Sequence, residues 1–166
     1  MASLHVGIRP TSLVDPRGPR FGAAVTTVVL AVALVTGSAL LLALQAIVFA
    51  LGAAGRPPYG VIYARLVRPL LGPPAELEDT RPLRFAQTVG LVFTLVALAG
   101  LALSTSVVTA LFTAAALAAA FLNAAFGICL GCEVYLVLRR ATSKTPIART
   151  VPNDRTTHPR TEVHAS

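Results

Sequence analysis

Charge is what this sequence has least of. Only 13% of its residues are Asp, Glu, Lys or Arg, against about 25% in an ordinary soluble domain. With 55% hydrophobic residues and a mean hydropathy of +0.73, that shortage excludes a water-soluble globule, because too little polar surface remains to coat one. Charge is missing altogether from Phe21 to Gly55 and from Phe85 to Cys132. Lysine is nearly absent too, with Lys144 alone beside thirteen arginines. Together with abundant Ala and Val, this bias points to a high-GC bacterial genome. There is no phosphate-binding glycine loop, no Ser-His-Asp set and no pair of carboxylates within the apolar stretches. The usual routes to nucleotide binding, nucleophilic hydrolysis and paired acid–base catalysis are therefore closed. Two cysteines are half of a four-ligand zinc set. His158 and His164 lie in a Thr- and Pro-rich tail, so no metal site is expected there.

The charges that are present fall in three blocks, residues 9–20, 56–84 and 133–162. A bilayer core about 30 Å thick takes about 20 helical residues, so each uncharged run between blocks is too long for one crossing and suits two. Thr36-Gly37-Ser38 and Ser104-Thr105-Ser106 are the natural breaks. The sequence therefore predicts an all-α integral membrane four-helix bundle made of two hairpins, with spans at 21–36, 39–54, 86–103 and 107–138. Tight polar turns belong at the outer interface, since lipid leaves no partner for free backbone groups. All 14 Lys and Arg residues lie outside those two turns. Positive flanks mark the cytoplasmic side, which places both termini and the middle segment in the cytoplasm and the chain in the cell membrane as a multi-pass protein. The net charge of +7 therefore reads as membrane flanks and not as nucleic-acid binding. Thr36-Gly37-Ser38-Ala39 resembles a signal-peptide cleavage site. The apolar run continues into Leu40-Leu41-Leu42 with no polar mature start, so cleavage is not expected.

The predicted organisation is a cytoplasmic tail at 1–20, a transmembrane domain at 21–140 holding the cytoplasmic segment 56–84, and a disordered cytoplasmic tail at 141–166. Within the middle segment, Pro57-Pro58 suits a helix start. Tyr59, Ile62, Tyr63, Leu66, Val67 and Leu70 then recur at helical spacing, and Gly72-Pro73-Pro74 ends the pattern. Arg65 and Arg68 fall off the stripe. The pattern fits a short amphipathic helix on the membrane surface with its arginines at lipid phosphates, and equally a helix that caps the bundle. Glu76, Glu78 and Asp79 either pair with Arg81 and Arg84 or are solvated.

One motif invites chemistry: Cys129-Leu130-Gly131-Cys132-Glu133. On a helix running to Arg139-Arg140, Cys132 lies about 10 Å below the interface. Cys129, Cys132, Glu133 and Leu136 share one face, and Glu133 becomes an ionisable group inside the membrane. Ala116, Ala120, Ala124, Gly127 and Gly131 form a small-residue packing seam on the other face, with Asn123 at its edge as a candidate interhelical hydrogen bond. Cysteines three apart can close a disulfide. A pair near a helix C-terminus lacks the dipole that lowers a reactive thiol's pKa, and a cytoplasmic pair rests reduced. Packing, a working dithiol and a zinc half-site all remain open, as does the regularity of the helix between Gly127 and Gly131. Among the other polar groups in the spans, the threonines read as structural and Gln45 is the candidate for a polar path.

Three segments are familiar as a set. They are Asp15-Pro16-Arg17-Gly18-Pro19-Arg20-Phe21, Arg68-Pro69-Leu70-Leu71-Gly72-Pro73-Pro74 with Glu76-Leu77-Glu78-Asp79, and Phe121-Leu122-Asn123-Ala124-Ala125-Phe126-Gly127 leading into the cysteine motif. Over roughly 13–141 the chain resembles the DUF4395 family of small bacterial, often actinobacterial, membrane proteins. The resemblance implies no established activity. Members are often encoded near thioredoxin-like and sulfurtransferase proteins, so it implies thiol or sulfur chemistry by association. The layout is also similar in outline to four-helix quinone-linked thiol oxidoreductases, with the pair on the opposite side of the membrane.

The leading expectation is a dithiol of Cys129 and Cys132 that exchanges electrons or sulfur, with Glu133 as proton shuttle. Its partner would be a thioredoxin-like protein, a sulfurtransferase or a quinone. The alternatives are a small transporter for a sulfur-containing solute, which needs a homo-oligomer to frame its path, and a structural or assembly protein with no chemistry.

Overall fold

A computed structural model describes residues 13–72 and 77–142. The N-terminal residues 1–12, Glu76, and the expected disordered tail from residue 143 onward, with His158 and His164, lie outside the described residues. Ala141 and Thr142, counted in that tail, instead close the last helix.

Six helices and one two-residue strand pair make up the described chain. Asp15 accepts the Arg17 backbone N–H at 3.0 Å and opens α1, Arg17–Thr36. Gly37 stops α1 in the left-handed region at φ 62°, where a side chain is strained. Ser38 then caps α2, Ala39–Ala53, by accepting from the Leu41 N–H at 3.4 Å. After Gly55 and Pro57, α3 begins at Pro58–Ile62, loosens into a π turn at Tyr63–Val67 and tightens into a 3-10 turn at Arg68–Leu70. Pro69 explains the irregularity, because its ring offers no N–H to continue the ladder. Of the expected apolar stripe, Tyr63 is buried, Tyr59 and Val67 are half-buried, and Ile62, Leu66 and Leu70 stay exposed. The α3 segment is bent 78° from α2.

Strand β1, Leu13–Val14, pairs antiparallel with β2, Glu78–Asp79. Asp79 also caps α4, Thr80–Ala102, by accepting the Arg81 N–H at 3.0 Å. Asp79, one of three acidic residues that the sequence left open between ion pairing and solvation, is thus a helix cap. Ser104, at φ 57°, turns the chain into α5, Ser106–Phe126.

The expected helix 107–138 is two helices. Gly127 ends α5 at φ 71°, and α6 starts anew at Leu130–Thr142. The proposed small-residue seam breaks with it. Ala116 is buried and Ala120 and Ala124 are half-buried on α5, but Gly127 is an exposed helix stop and Gly131 belongs to the next helix.

Packing is strongest between α1 and α5, between α2 and α4, and between α4 and α5. Leu30, Ala33, Leu42, Ala97 and Ala116 form the buried apolar cluster. Beside them Gln45 and Thr94 are 0% exposed, while Val28, Val35, Leu40, Leu44, Val107 and Leu111 face outward. Burying Gln and Thr while exposing Leu and Val inverts the arrangement of a soluble protein and suits a lipid surround. The helices α1, α4 and α5 are each long and apolar enough to cross a membrane, and the bent pair α2–α3 is a fourth candidate. The chain is a multi-pass membrane protein by these features.

Candidate functional site: a cysteine pair opening on a cavity

The break at Gly127 changes what the cysteine motif is. Gly127 stands close to Arg20 of α1, whose guanidinium carbon would lie 3.4 Å from a Cβ placed there. The chain leaves α5 through Gly127 and Ile128 and re-enters a helix after Cys129. The Glu133 N–H donates to the Cys129 carbonyl at 3.0 Å, which makes Cys129 the residue capping the N-terminus of α6. The sequence put this pair toward the C-terminal end of a long span, and that placement is corrected. The motif spans the N-terminal turn of a short helix that is not among the membrane-crossing candidates.

Position at a helix start supplies donors. The Cys129 thiol falls to about 7 from its ordinary 9, first because the Cys132 thiol donates to it and then because the Cys132 and Gly131 backbone N–H groups do. Burial and the nearby Glu78 charge work in the opposite direction. The Cys132 thiol is pushed up, chiefly by the hydrogen bond it gives Cys129, and further by burial and by the charges of Cys129, Glu78 and Glu133. The two thiols are thus pushed in opposite directions, Cys129 down and Cys132 up, and a helix start favours a lowered thiol in CxxC motifs. Both are free and half-buried.

Helix α6 is held against α4. A Cβ at Gly131 would lie 2.5 Å from the Ala86 Cβ, so only glycine permits this approach. One turn on, the rings of Phe85 and Tyr135 meet at 5.7 Å. Glu133 belongs to α6, which is not among the membrane-crossing candidates. It is exposed in the first turn of α6, where the N-terminal end of the dipole favours an acid. The carboxylate that acts on both thiols is Glu78, from the strand before α4. Sequence reasoning missed it, because fifty-one residues separate it from Cys129.

Cys129 lines a cavity of about 610 Å³ at the basic end of the helices, roofed by α3. Arg68 and Arg84 flank it. The Arg84 Nε donates to the Ala53 carbonyl at 2.9 Å, closing the C-terminal end of α2. Arg65 is exposed and does not line the cavity. Behind the cavity, Tyr59 donates to the Gln45 Oε1 at 3.1 Å, and the Gln45 amide donates to the Thr26 hydroxyl at 3.2 Å. This chain ties α3, α2 and α1 together. Gln45 is a brace, and Thr26 and Tyr59 are the cavity-lining members of its chain. Asn123, expected to bridge helices, lines the cavity and hydrogen-bonds to no described side chain. Among the described residues no cluster of three His, Cys, Asp or Glu could hold a metal ion.

Residues 14–140 match the domain of unknown function DUF4395. The chain belongs to that family. The match spans all six helices and the cysteine motif, so the DUF4395 domain includes both the apolar helices and the site. Comparison with curated proteins and with solved structures finds no match.

Proposed function

We propose that this DUF4395 protein is a membrane-embedded thiol–disulfide redox protein, with Cys129 as the attacking thiolate and Cys132 as the resolving thiol. The observation that carries the reading is the placement of Cys129 as the cap of α6, with Cys132 in the first turn, and its opening on a cavity. In this reading the helices form a four-span bundle with the basic end, both termini and the site toward the cytoplasm, as the positive flanks favour.

The exchange runs in two displacements. The Cys129 sulfur attacks one sulfur of a partner disulfide, such as that of a thioredoxin-like protein, and the partner's other sulfur leaves as a thiolate. Cys132 then gives up its proton and attacks the Cys129 sulfur. The Cys129–Cys132 disulfide forms, and the partner leaves with two electrons as a dithiol. Glu78, whose charge acts on both thiols, is the base assigned to take the Cys132 proton. Glu133, exposed one turn into α6, serves the dipole. With a sulfurtransferase as partner, the same Cys129 thiolate would attack the outer sulfur of the partner's cysteine persulfide, forming a persulfide on Cys129 while the partner's cysteine leaves as a thiolate.

The test is trapping of both thiols in intact cells with a maleimide gel-shift reagent before and after a diamide pulse. Reversible oxidation of the pair, lost when either cysteine is replaced, supports the proposal. Thiols that stay reduced and react only after denaturation would reduce the motif to packing.

A further inference from the structure

The cavity that Cys129 faces has a definite chemistry. Two carboxamides line it, Gln87 from α4 and Asn123 from α5, and neither hydrogen-bonds to another described side chain. Gly52 on α2 is what lets Gln87 lie there, since a Cβ at that position would be 2.8 Å from the Gln87 Oε1. Most of the remaining wall is apolar, including Ala23, Val48, Leu83 and Ala86, and Asp15, Arg68 and Arg84 are its charged members. A volume of about 610 Å³ falls within the roughly 300–1,000 Å³ of small-molecule sites. Cys129 lines the cavity and Cys132 does not.

These features restrict the occupant. It must be largely apolar, offer acceptors to free amide N–H groups, and react with a thiolate whose partner thiol waits behind it. A hydrophilic disulfide can react with the thiolate but gains nothing from the apolar wall. A hydrocarbon tail fails the other two. A flat ring bearing carbonyl oxygens and able to take two electrons meets all three. We propose that the cavity roofed by α3 is a quinone site, where Gln87 and Asn123 hold the ring carbonyls and the Cys129/Cys132 dithiol is oxidised. This rests on the dithiol reading above and adds the electron acceptor to it.

The Cys129 thiolate bonds to a ring carbon, and its electron pair passes into the ring. Cys132 loses its proton and attacks the Cys129 sulfur, which breaks the bond to the ring. The disulfide forms, and the quinol departs with two added electrons and two added protons, one from Cys132 and one from water.

The experiment uses the full chain in lipid nanodiscs, reduced and freed of reductant under argon. A short-tailed quinone with every ring position substituted is added, so that stable addition products cannot accumulate. Quinone absorbance and the gel shift of the two thiols are followed together, and a parallel sample receives glutathione disulfide in place of quinone. One quinol is expected per disulfide formed. Gln87→Leu/Asn123→Leu should slow quinone reduction at least about tenfold, the effect of losing two modest hydrogen bonds. As a readout that needs no turnover, the quinone should raise the unfolding temperature of Cys129→Ser protein, and the double leucine change on that background should remove the rise. If glutathione disulfide closes the pair while the quinone is untouched, the quinone site is wrong and thiol exchange stands. If neither oxidant closes the pair, both fall. If the double leucine variant reduces quinone at the wild-type rate, the ring binds elsewhere and the cavity assignment is overturned.

Discussion

Two glycines end two apolar helices with the same backbone device, and the chain does different things after each. Gly37 stops α1 at φ 62° and Gly127 stops α5 at φ 71°. After Gly37 a serine caps the next helix, and α2 returns without a single charge to bury Gln45. After Gly127 a cysteine occupies the capping position, and α6 carries Glu133, Arg139 and Arg140 along an amphipathic surface. The helix stop is local chemistry. Whether the chain returns through the apolar layer or lies across its end is decided by the charges that follow. In the proposed reading, sulfur in place of oxygen at the second cap turns a structural position into a nucleophile.

The comparison can be broken most sharply at the cap itself. Cys129→Ser gives the second break the capping residue of the first. Serine caps helices well, so the fold should persist while thiol–disulfide exchange with glutathione disulfide is lost entirely, as measured by gel shift on protein of unchanged helicity. Retained exchange through Cys132 alone would show that the cap position confers nothing.

Next in size is the seat of α6. Gly131→Val drives a side chain into Ala86 and should cost about 1–3 kcal/mol in detergent-titration unfolding. As α6 shifts, the pH midpoint of Cys129 alkylation should rise from near 7 toward that of an ordinary thiol. A midpoint that stays put while stability falls would mean that α6 sets the thiol without docking on α4.

The two glycines themselves come third. Forcing a Cβ into the left-handed region costs about 1–2 kcal/mol. At Gly37 a Cβ meets nothing within 4 Å, whereas at Gly127 it meets Arg20. That contact, at 3.4 Å to the end of a flexible side chain, is ordinary van der Waals distance, so Gly127→Ala and Gly37→Ala should destabilise by similar amounts, and a clearly larger loss at Gly127 would show that Arg20 cannot yield.

The smallest effect concerns Glu78. Its charge raises Cys129, so Glu78→Gln should lower the alkylation midpoint. The linkage to stability has a definite sign. A thiol lowered from 9 to about 7 by the fold contributes stability that is complete above about pH 9 and fades as pH falls through 7. Glu78→Gln should move the lower edge of that window downward in a pH series of unfolding midpoints.

Much of the helical layout was legible because it follows from length and charge. Thr36-Gly37-Ser38 sits where a long uncharged run had to divide, and α1 and α2 meet there. The same length argument was not carried into the last run. A helix over 107–138 would reach about 48 Å at 1.5 Å per residue, well beyond the bilayer core, and a glycine stood at residue 127 to end it. Reading the run as far as its arginines hid the second break and misplaced the thiols at the wrong end of a helix. Cys129 and Cys132 were legible by type and spacing. Glu78 and the cavity were not, because they are assembled from segments far apart in sequence, and periodicity within one helix carries no information about them.

The pairing of Leu13 and Val14 with Asp79 and Glu78 also sets an order of events. During synthesis, which proceeds from the N-terminus, the first strand exists long before its partner. The helices α1, α2 and α3 can all be made while Leu13 and Val14 have nothing to pair with. The clasp can shut only when the second strand emerges, and Cys129 is added fifty residues later. The side of the cavity built from α1, α2 and α3 can therefore be latched first, and α4, Asn123 and Cys129 complete it in turn.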